Sequence, residues 1–314
     1  MSEMRQDFIT GRRVIMAPER AMRPKHSSES TTDSSLCKRD EDCPFCPGNE
    51  AQTPPEVIAI PKQRSDTEGW LVRVIPNKYP AVDPTYGIHE LLIENPCHTR
   101  HPGKMSREEL SLVIEACLSR CRNISNDTRL LSVLIFRNHG EKAGASIEHP
   151  HSQIMALPLI YPELACEIEG AQRYYYEKKN CPYCDLIAAE KNSERLVLEN
   201  KAFIVFVPYA ARFPFEVWIL PKKHRCSFLD VNEEEQYWLA HTLKAFLAKI
   251  SERLNEPAYN YYFHTAPFRY KHMPGYHWHI EFIPRFATIA GFELGSGIYI
   301  NTITPEYAAD YLKH

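Results

Sequence analysis

No stretch of this 314-residue sequence stays apolar long enough to cross a membrane, a span that takes about 20 residues. An excess of charge of one sign is missing too: 37 Lys and Arg stand against 40 Asp and Glu, a net charge of -3. That balance removes the electrostatic case for a nucleic-acid polymer or an anionic membrane as partner. The polar start, MSEMRQDF, is not a secretory leader, so the expected compartment is the cytoplasm. The hydrophobic content of 44% and charged content of 25% belong to a soluble globular protein. The length has room for two domains, or for two fused copies of one.

What the chain does have is cysteine and histidine in a repeated order. Four of its ten cysteines form two C-x-x-C pairs, Cys43-Pro44-Phe45-Cys46 and Cys181-Pro182-Tyr183-Cys184. In a reducing compartment such pairs bind zinc or do redox chemistry. A redox pair belongs at a helix start inside a βαβ unit, with a partly exposed reactive thiol. Here each pair is followed by a histidine, His98 or His224, and then by an H-x-H, His149/His151 or His277/His279. Zinc fits that order better. Cys37, Cys97, Cys117, Cys121, Cys166 and Cys226 read as buried or incidental thiols.

Residues 26–42 are rich in Ser, Thr and Asp, with nothing to bury, and read as a loop. Val57–Ile60, Leu71–Ile75, Glu90–Glu94 and Leu131–Phe136 have the pattern of strands, and a histidine strand runs through Ala156. Ser106 and Glu109 form a capping box ahead of Leu110, Val113, Ile114 and Leu118 at helical spacing. The second half repeats the plan. Strands are expected at Ala202–Val207, Phe215–Leu220, Tyr259–His264 and His277–Pro284, with a long helix from about Glu233 to Leu254 capped by Asp230 or Asn232. Antiparallel strands with one helix laid across them make an α+β unit, and two such units can join edge to edge into one sheet. The expected division is residues 1–178 and 179–314.

Residues i and i+2 of a strand project to the same side. An H-x-H therefore puts one imidazole on a metal and leaves the other free for chemistry. Cys43, Cys46, His98 and His149 make the closed two-thiolate, two-imidazole set of structural zinc. Cys181, Cys184, His224 and His277 make a second. The plainer alternative for each is a pair of reduced thiols beside core histidines. His151 is the candidate nucleophile, since a neutral imidazole attacks phosphorus well at pH 7. Gln153, on the same face, offers an amide hydrogen to a phosphoryl oxygen. Asn138, Gly144, Ala145 and Ser146 form a small-residue loop that phosphate could approach.

With these pieces the chain resembles the galactose-1-phosphate uridylyltransferase family of the histidine triad superfamily. The matching segments are APERAMRP at 17–24, CPFCPGNE at 43–50, PNKYPA at 76–81, Asn138, GAS at 144–146 and HPHSQ at 149–153. FHTAPF at 263–268, HWHIEF at 277–282 and AGFELGSGIYIN at 290–301 complete them. The resemblance implies two fused histidine triad modules, antiparallel sheets with one long helix on each, and a homodimer with active sites near the interface. It implies ping-pong nucleotidyl transfer through His151, with Gln153 on the phosphate and Arg20, Arg23, Asn77, Asn138 and Ser146 on the nucleotide. Its first zinc set falls on Cys43, Cys46, His98 and His149. In typical members the second metal is held by one Glu and three His, which would be Glu167, His264, His277 and His279 here. Cys181 and Cys184 look instead like the plant-type ADP-glucose phosphorylase branch, which has two cysteine-containing zinc sites. The segment 291–297, Phe292 included, stands where typical uridylyltransferases grip the hexose, and it too looks like the phosphorylase type.

The leading expectation is a UDP-glucose:hexose-1-phosphate uridylyltransferase of galactose metabolism, with galactose 1-phosphate as acceptor. The alternative is a nucleotide-sugar (ADP-glucose) phosphorylase, with phosphate as acceptor. A hydrolase using water would share the first step. A zinc-braced nucleotide-binding module without turnover would have no need of His151.

Overall fold

The computed structural model describes residues 2–22, 39–61, 69–270 and 272–314. Arg23 and most of the loop expected at 26–42 lie outside them.

In chain order the elements are β1 (Glu3–Gln6), β2 (Arg13–Met16), β3 (Ile58–Ile60), β4 (Val72–Pro76), β5 (Ile88–Ile93) and α1 (Arg107–Ile124). There follow β6 (Ser132–His139), β7 (His151–Leu157), α2 (Pro162–Lys178), α3 (Pro182–Glu190), β8 (Leu196–Glu199), β9 (Phe203–Phe206) and β10 (Val217–Pro221). The chain ends with α4 (Glu233–Leu254), β11 (Tyr259–His264), β12 (His279–Pro284), α5 (Gly291–Ser296), β13 (Tyr299–Asn301) and α6 (Pro305–Lys313).

Ten strands form one sheet in the order β3-β4-β5-β7-β6-β11-β12-β10-β9-β8, antiparallel throughout. Each half has the same plan. From either edge inward, its first, second, third, fifth and fourth strands lie side by side, and the long helix sits between the third and fourth in sequence. The halves meet where β6 pairs β11, Phe136 opposite Tyr262. The repeat read in the cysteines and histidines is thus a repeat of fold: α+β, two histidine triad modules sharing a sheet.

The long helices start where expected. Ser106 accepts from the Glu109 backbone amide while Glu109 reaches back to the Ser106 amide, and Asn232 and Glu235 do the same for α4. Such caps satisfy amides that have no partner inside the helix. Leu110, Ile114 and Leu118 of α1 and Leu239, Leu243 and Phe246 of α4 enter one core with Val74, Leu92, Ile135, Ile154, Ile219 and Phe282 of the sheet. The opposite face is covered unevenly. Over the second half lie α2 and α3, whose Leu164, Ile168, Tyr183 and Leu186 pack with Ile204, Phe206, Trp218 and Leu220. Over the first half, among the described residues, Phe45, Trp70 and the Cys43/Cys46 turn close down on Ile75, Leu91 and Ile93. Leu134, Phe136, Gln153 and Met155 remain half-buried there.

A separate three-stranded sheet, β1-β2-β13, brings the two chain ends together. That sheet and α2, α3, α5 and α6 had no counterpart in the sequence reading.

Candidate active site and metal centres

Cys43 and Cys46 belong to a turn closed by a Cys46 N–H to Cys43 carbonyl bond of 3.2 Å. His98 follows β5, and His149 lies two residues ahead of the start of β7. The histidine strand thus begins at His151, not at His149. The Nδ1 of His149 lies 3.8 Å from the Cys43 sulfur and 3.6 Å from that of Cys46, and His98 Nδ1 is 3.5 Å from Cys46. Metal–sulfur and metal–nitrogen bonds of about 2.3 and 2.0 Å at a tetrahedral angle require sulfur–nitrogen separations of about 3.5 Å. His149 Nε2 donates to the Asn95 carbonyl at 2.7 Å, which leaves Nδ1 bare toward the sulfurs. Burial lowers its pKa to about 4, so the ring is neutral and able to ligate at pH 7. The four expected residues therefore assemble a buried set that fits a thiolate–imidazole metal ion.

Two residues on, His151 Nδ1 donates to the His149 carbonyl at 2.8 Å. The tautomer is thereby set, and Nε2 carries the free lone pair. His151 is 7% exposed, and desolvation by burial lowers its pKa. The Phe45 ring stands edge-on to it at 5.4 Å, so the turn that brings Cys43 and Cys46 together also walls this imidazole. Gln153, opposite Leu91 of β5, keeps the same face. Its Oε1 accepts from His89 Nε2 at 2.8 Å.

Behind β7, Ser152 donates to Glu94, Glu94 pairs with Arg137 and Tyr261 lies 3.2 Å from the Ser152 hydroxyl. This network grips the strand through the one side chain between His151 and Gln153.

The remaining expected contacts are placed unevenly. Asn138 is the penultimate residue of β6, and its Oδ1 accepts from Asn260 Nδ2 at 2.8 Å. The same Asn260 amide reaches the Ala143 carbonyl at 2.9 Å, tying down the loop in which Gly144 takes φ 85°. Ser146 is exposed at the rim of that loop. Asn77 leaves β4 with its backbone amide on the His89 carbonyl and its side chain 3.3 Å from His89 Nε2. Arg20 is exposed in a short 3-10 turn, Pro18–Met22. Phe292 is 48% exposed on α5, which packs on β13; no contact brings it to His151 among the described residues.

His89, Asn95 and Asn260 were missed. His89 fell outside the strand read as Glu90–Glu94, although β5 starts at Ile88. Extending that strand puts its ring in alternation with Leu91 and Ile93 on the His151 face.

In the second half Cys184 lies 3.5 Å from His224 Nδ1 and 3.8 Å from His277 Nδ1. Cys181 completes a four-residue set within 4.8 Å. The alternative set of Glu167, His264, His277 and His279 does not form, because His277 lies outside the strand among the cysteines. Glu281 takes its place, and Glu167, His264, His279 and Glu281 make a third cluster. His279 Nδ1 donates to the His277 carbonyl at 3.1 Å, as His151 does to His149, and Glu281 stands in the place of Gln153. The second imidazole is sealed, however. Glu167 from α2 reaches His264 at 2.5 Å, Arg212 holds Glu281, and the rings of Tyr183 and Trp218 each stand 5.2 Å from His279. Among the described residues, no helix covers the imidazole of His151 in the way that α2 and α3 cover that of His279.

Of the thiols read as incidental, Cys117 and Cys121 are buried in α1, whereas Cys97 is disulfide-bonded.

Residues 97–314 match a family described as a domain of unknown function, DUF4921, and residues 27–160 match the DUF4931 N-terminal domain. The ADP-glucose phosphorylase of Arabidopsis thaliana is 32% identical over 99% of this chain and 92% of its own. The galactose-1-phosphate uridylyltransferase of Thermotoga maritima is 29% identical, covering 100% and 98%. The crystal structure of the Arabidopsis phosphorylase with bound ADP-glucose superimposes with a TM-score of 0.89, covering 100% of this chain and 99% of that one at 32% identity. A uridylyltransferase structure gives 0.77 at 27% identity, covering 100% and 97%. With a relative 32% identical over nearly the whole chain and the same fold across its full length, the chain belongs to the galactose-1-phosphate uridylyltransferase family.

Proposed function

We propose that this protein is a nucleotide-sugar phosphorylase acting on ADP-glucose through a nucleotidyl-His151 intermediate. This departs from the sequence expectation of a UDP-glucose:hexose-1-phosphate uridylyltransferase. The observation that carries it is the second cysteine set, Cys181, Cys184, His224 and His277, drawn together by the fold. The 32% identity with an ADP-glucose phosphorylase supports it.

His151 Nε2 attacks the α-phosphorus, an N–P bond forms, and the P–O bond to the sugar phosphate breaks. Glucose 1-phosphate leaves with the bond's electron pair. The positive charge that develops on the imidazole is met by the His149 carbonyl on Nδ1–H. Gln153 and the Asn138–Ser146 loop bind the phosphoryl oxygens. Inorganic phosphate then attacks the same phosphorus, the N–P bond breaks, and ADP leaves with the imidazole restored.

Zinc occupies both cysteine sets and fixes the polypeptide around the site without entering the reaction. The two modules divide at residues 178 and 179, and the protein is a homodimer. Arg20, Arg23, Asn77 and Phe292 belong to the substrate site in this reading. The test is turnover with ADP-glucose and phosphate against UDP-glucose and galactose 1-phosphate. The phosphorylase reading requires the first pair to be faster; a faster second pair returns the protein to the uridylyltransferases.

A further inference from the structure

We propose that His89 is a positioning residue that fixes which end of the Gln153 amide faces the nucleotide. The inference rests on the reading of Gln153 as a phosphoryl-oxygen donor and adds a residue to it. The Ala81 backbone amide donates to His89 Nδ1 at 3.0 Å. A backbone N–H can only donate, so Nδ1 bears no proton and the neutral ring carries its proton on Nε2. That proton points at Gln153, 2.8 Å away. Only the amide oxygen can accept it, and the NH2 group is left for the pocket beside His151.

Were the amide turned over, its oxygen would face a phosphoryl oxygen, and the interaction would change from attraction to repulsion. The order of command runs from the Asn77–Ala81 loop to His89 to Gln153. Asn77 secures the loop, donating its backbone amide to the His89 carbonyl at 2.9 Å and accepting from the Tyr79 amide at 2.9 Å.

The experiment is a single-turnover measurement of adduct formation, using ADP-glucose and UDP-glucose as probes. Zinc content and melting temperature are recorded for every variant. His89→Phe keeps a ring but neither accepts nor donates, and the adduct rate should fall about 10-fold or more, within the ~10²–10³ expected for losing the donor itself in Gln153→Ala. The half-saturating nucleotide-sugar concentration should change little. His89→Gln, whose amide can donate from near the Nε2 position, should recover most of the rate.

In a Gln153→Ala background His89→Phe should cost nothing further, because the effect passes through that amide. Should His89→Phe fail to fold, His89→Leu takes its place in the same cycle. An equal loss in both backgrounds would make His89 structural only and overturn the inference, as would a wild-type rate in His89→Phe. A Gln153→Ala variant with the wild-type rate would overturn it together with the role of Gln153, leaving the His151 reading intact.

Discussion

A single imidazole between two hydrogen-bond roles decides what this site can do. His151 gives one nitrogen to the His149 carbonyl; in the proposed mechanism it keeps the other for chemistry, and Gln153 supplies the neighbouring donor. Removing Gln153 should slow adduct formation by ~10²–10³ without changing zinc content, since it stabilises charge but forms no bond. Behind the strand, Glu94 and Arg137 are each 2% exposed in their side chains. Breaking a buried pair from one side leaves an uncompensated charge, a loss of about 3–5 kcal/mol. Glu94→Ala should therefore lower the urea midpoint well beyond the effect of Ser152→Ala, which removes a hydrogen bond but no charge. The two Cys/His clusters were legible as groupings because their spacing is short or repeated. His89 and Asn260 were not, because each acts on a residue far away in sequence through pairings that only the sheet creates.

At the scale of elements, the two cysteine sets differ in depth. Cys43, Cys46 and His149 of the first are buried and the side chain of His98 is 11% exposed, whereas His224 is exposed and Cys184 half-buried in the second. A chelator should remove the second zinc first, with the first following only on unfolding. Cys181→Ser should retain about one equivalent with the first set filled; an unchanged count would place the second metal elsewhere, in the Glu167 cluster.

β6 and β11 add a pH signature. His139 stacks on Tyr259 with ring centroids 4.8 Å apart, and burial pushes its pKa down to about 2. Its folded pKa lies below the unfolded value of about 6.5, so the unfolded chain takes up the proton first as pH falls. His139 thus erodes stability below about pH 6.5 and has no such effect above it. His139→Phe, which preserves the stacking, should flatten the decline of melting temperature between pH 6.5 and 4; an unchanged slope would show that His139 titrates normally.

Both long helices were readable from capping residues and apolar spacing, although the cap of α4 stayed open between Asp230 and Asn232 until the structure showed the Asn232–Glu235 box. Helix α2 was not, because only Leu164, Glu167, Ile168, Gly170 and Ala171 of its face are buried, amid polar residues. It is nonetheless the element that closes the second imidazole.

At the scale of the molecule, duplication explains both the economy and the asymmetry. Two half-sheets of one plan each bring an H-x-H to the same face, and α2 covers one while leaving the other open. The face around Leu134, Phe136 and Met155, half-buried among the described residues, fits the expected dimer, and sedimentation at micromolar concentration should give twice the chain mass; a single-chain mass would contradict it. The cysteine and histidine order made the duplication readable, but not which copy is sealed, since that depends on where an intervening helix packs.

The central claim is that His151 carries the nucleotide. Mixing the protein with ADP-glucose or UDP-glucose, without acceptor, and weighing the intact chain tests it most directly. The account predicts one adenylyl group per chain from ADP-glucose, with an equal burst of glucose 1-phosphate. Adduct and burst should both be absent in His151→Asn, and its zinc content should be unchanged. An adduct that persists in His151→Asn, or zinc lost from that variant rather than from His149→Asn, would contradict it.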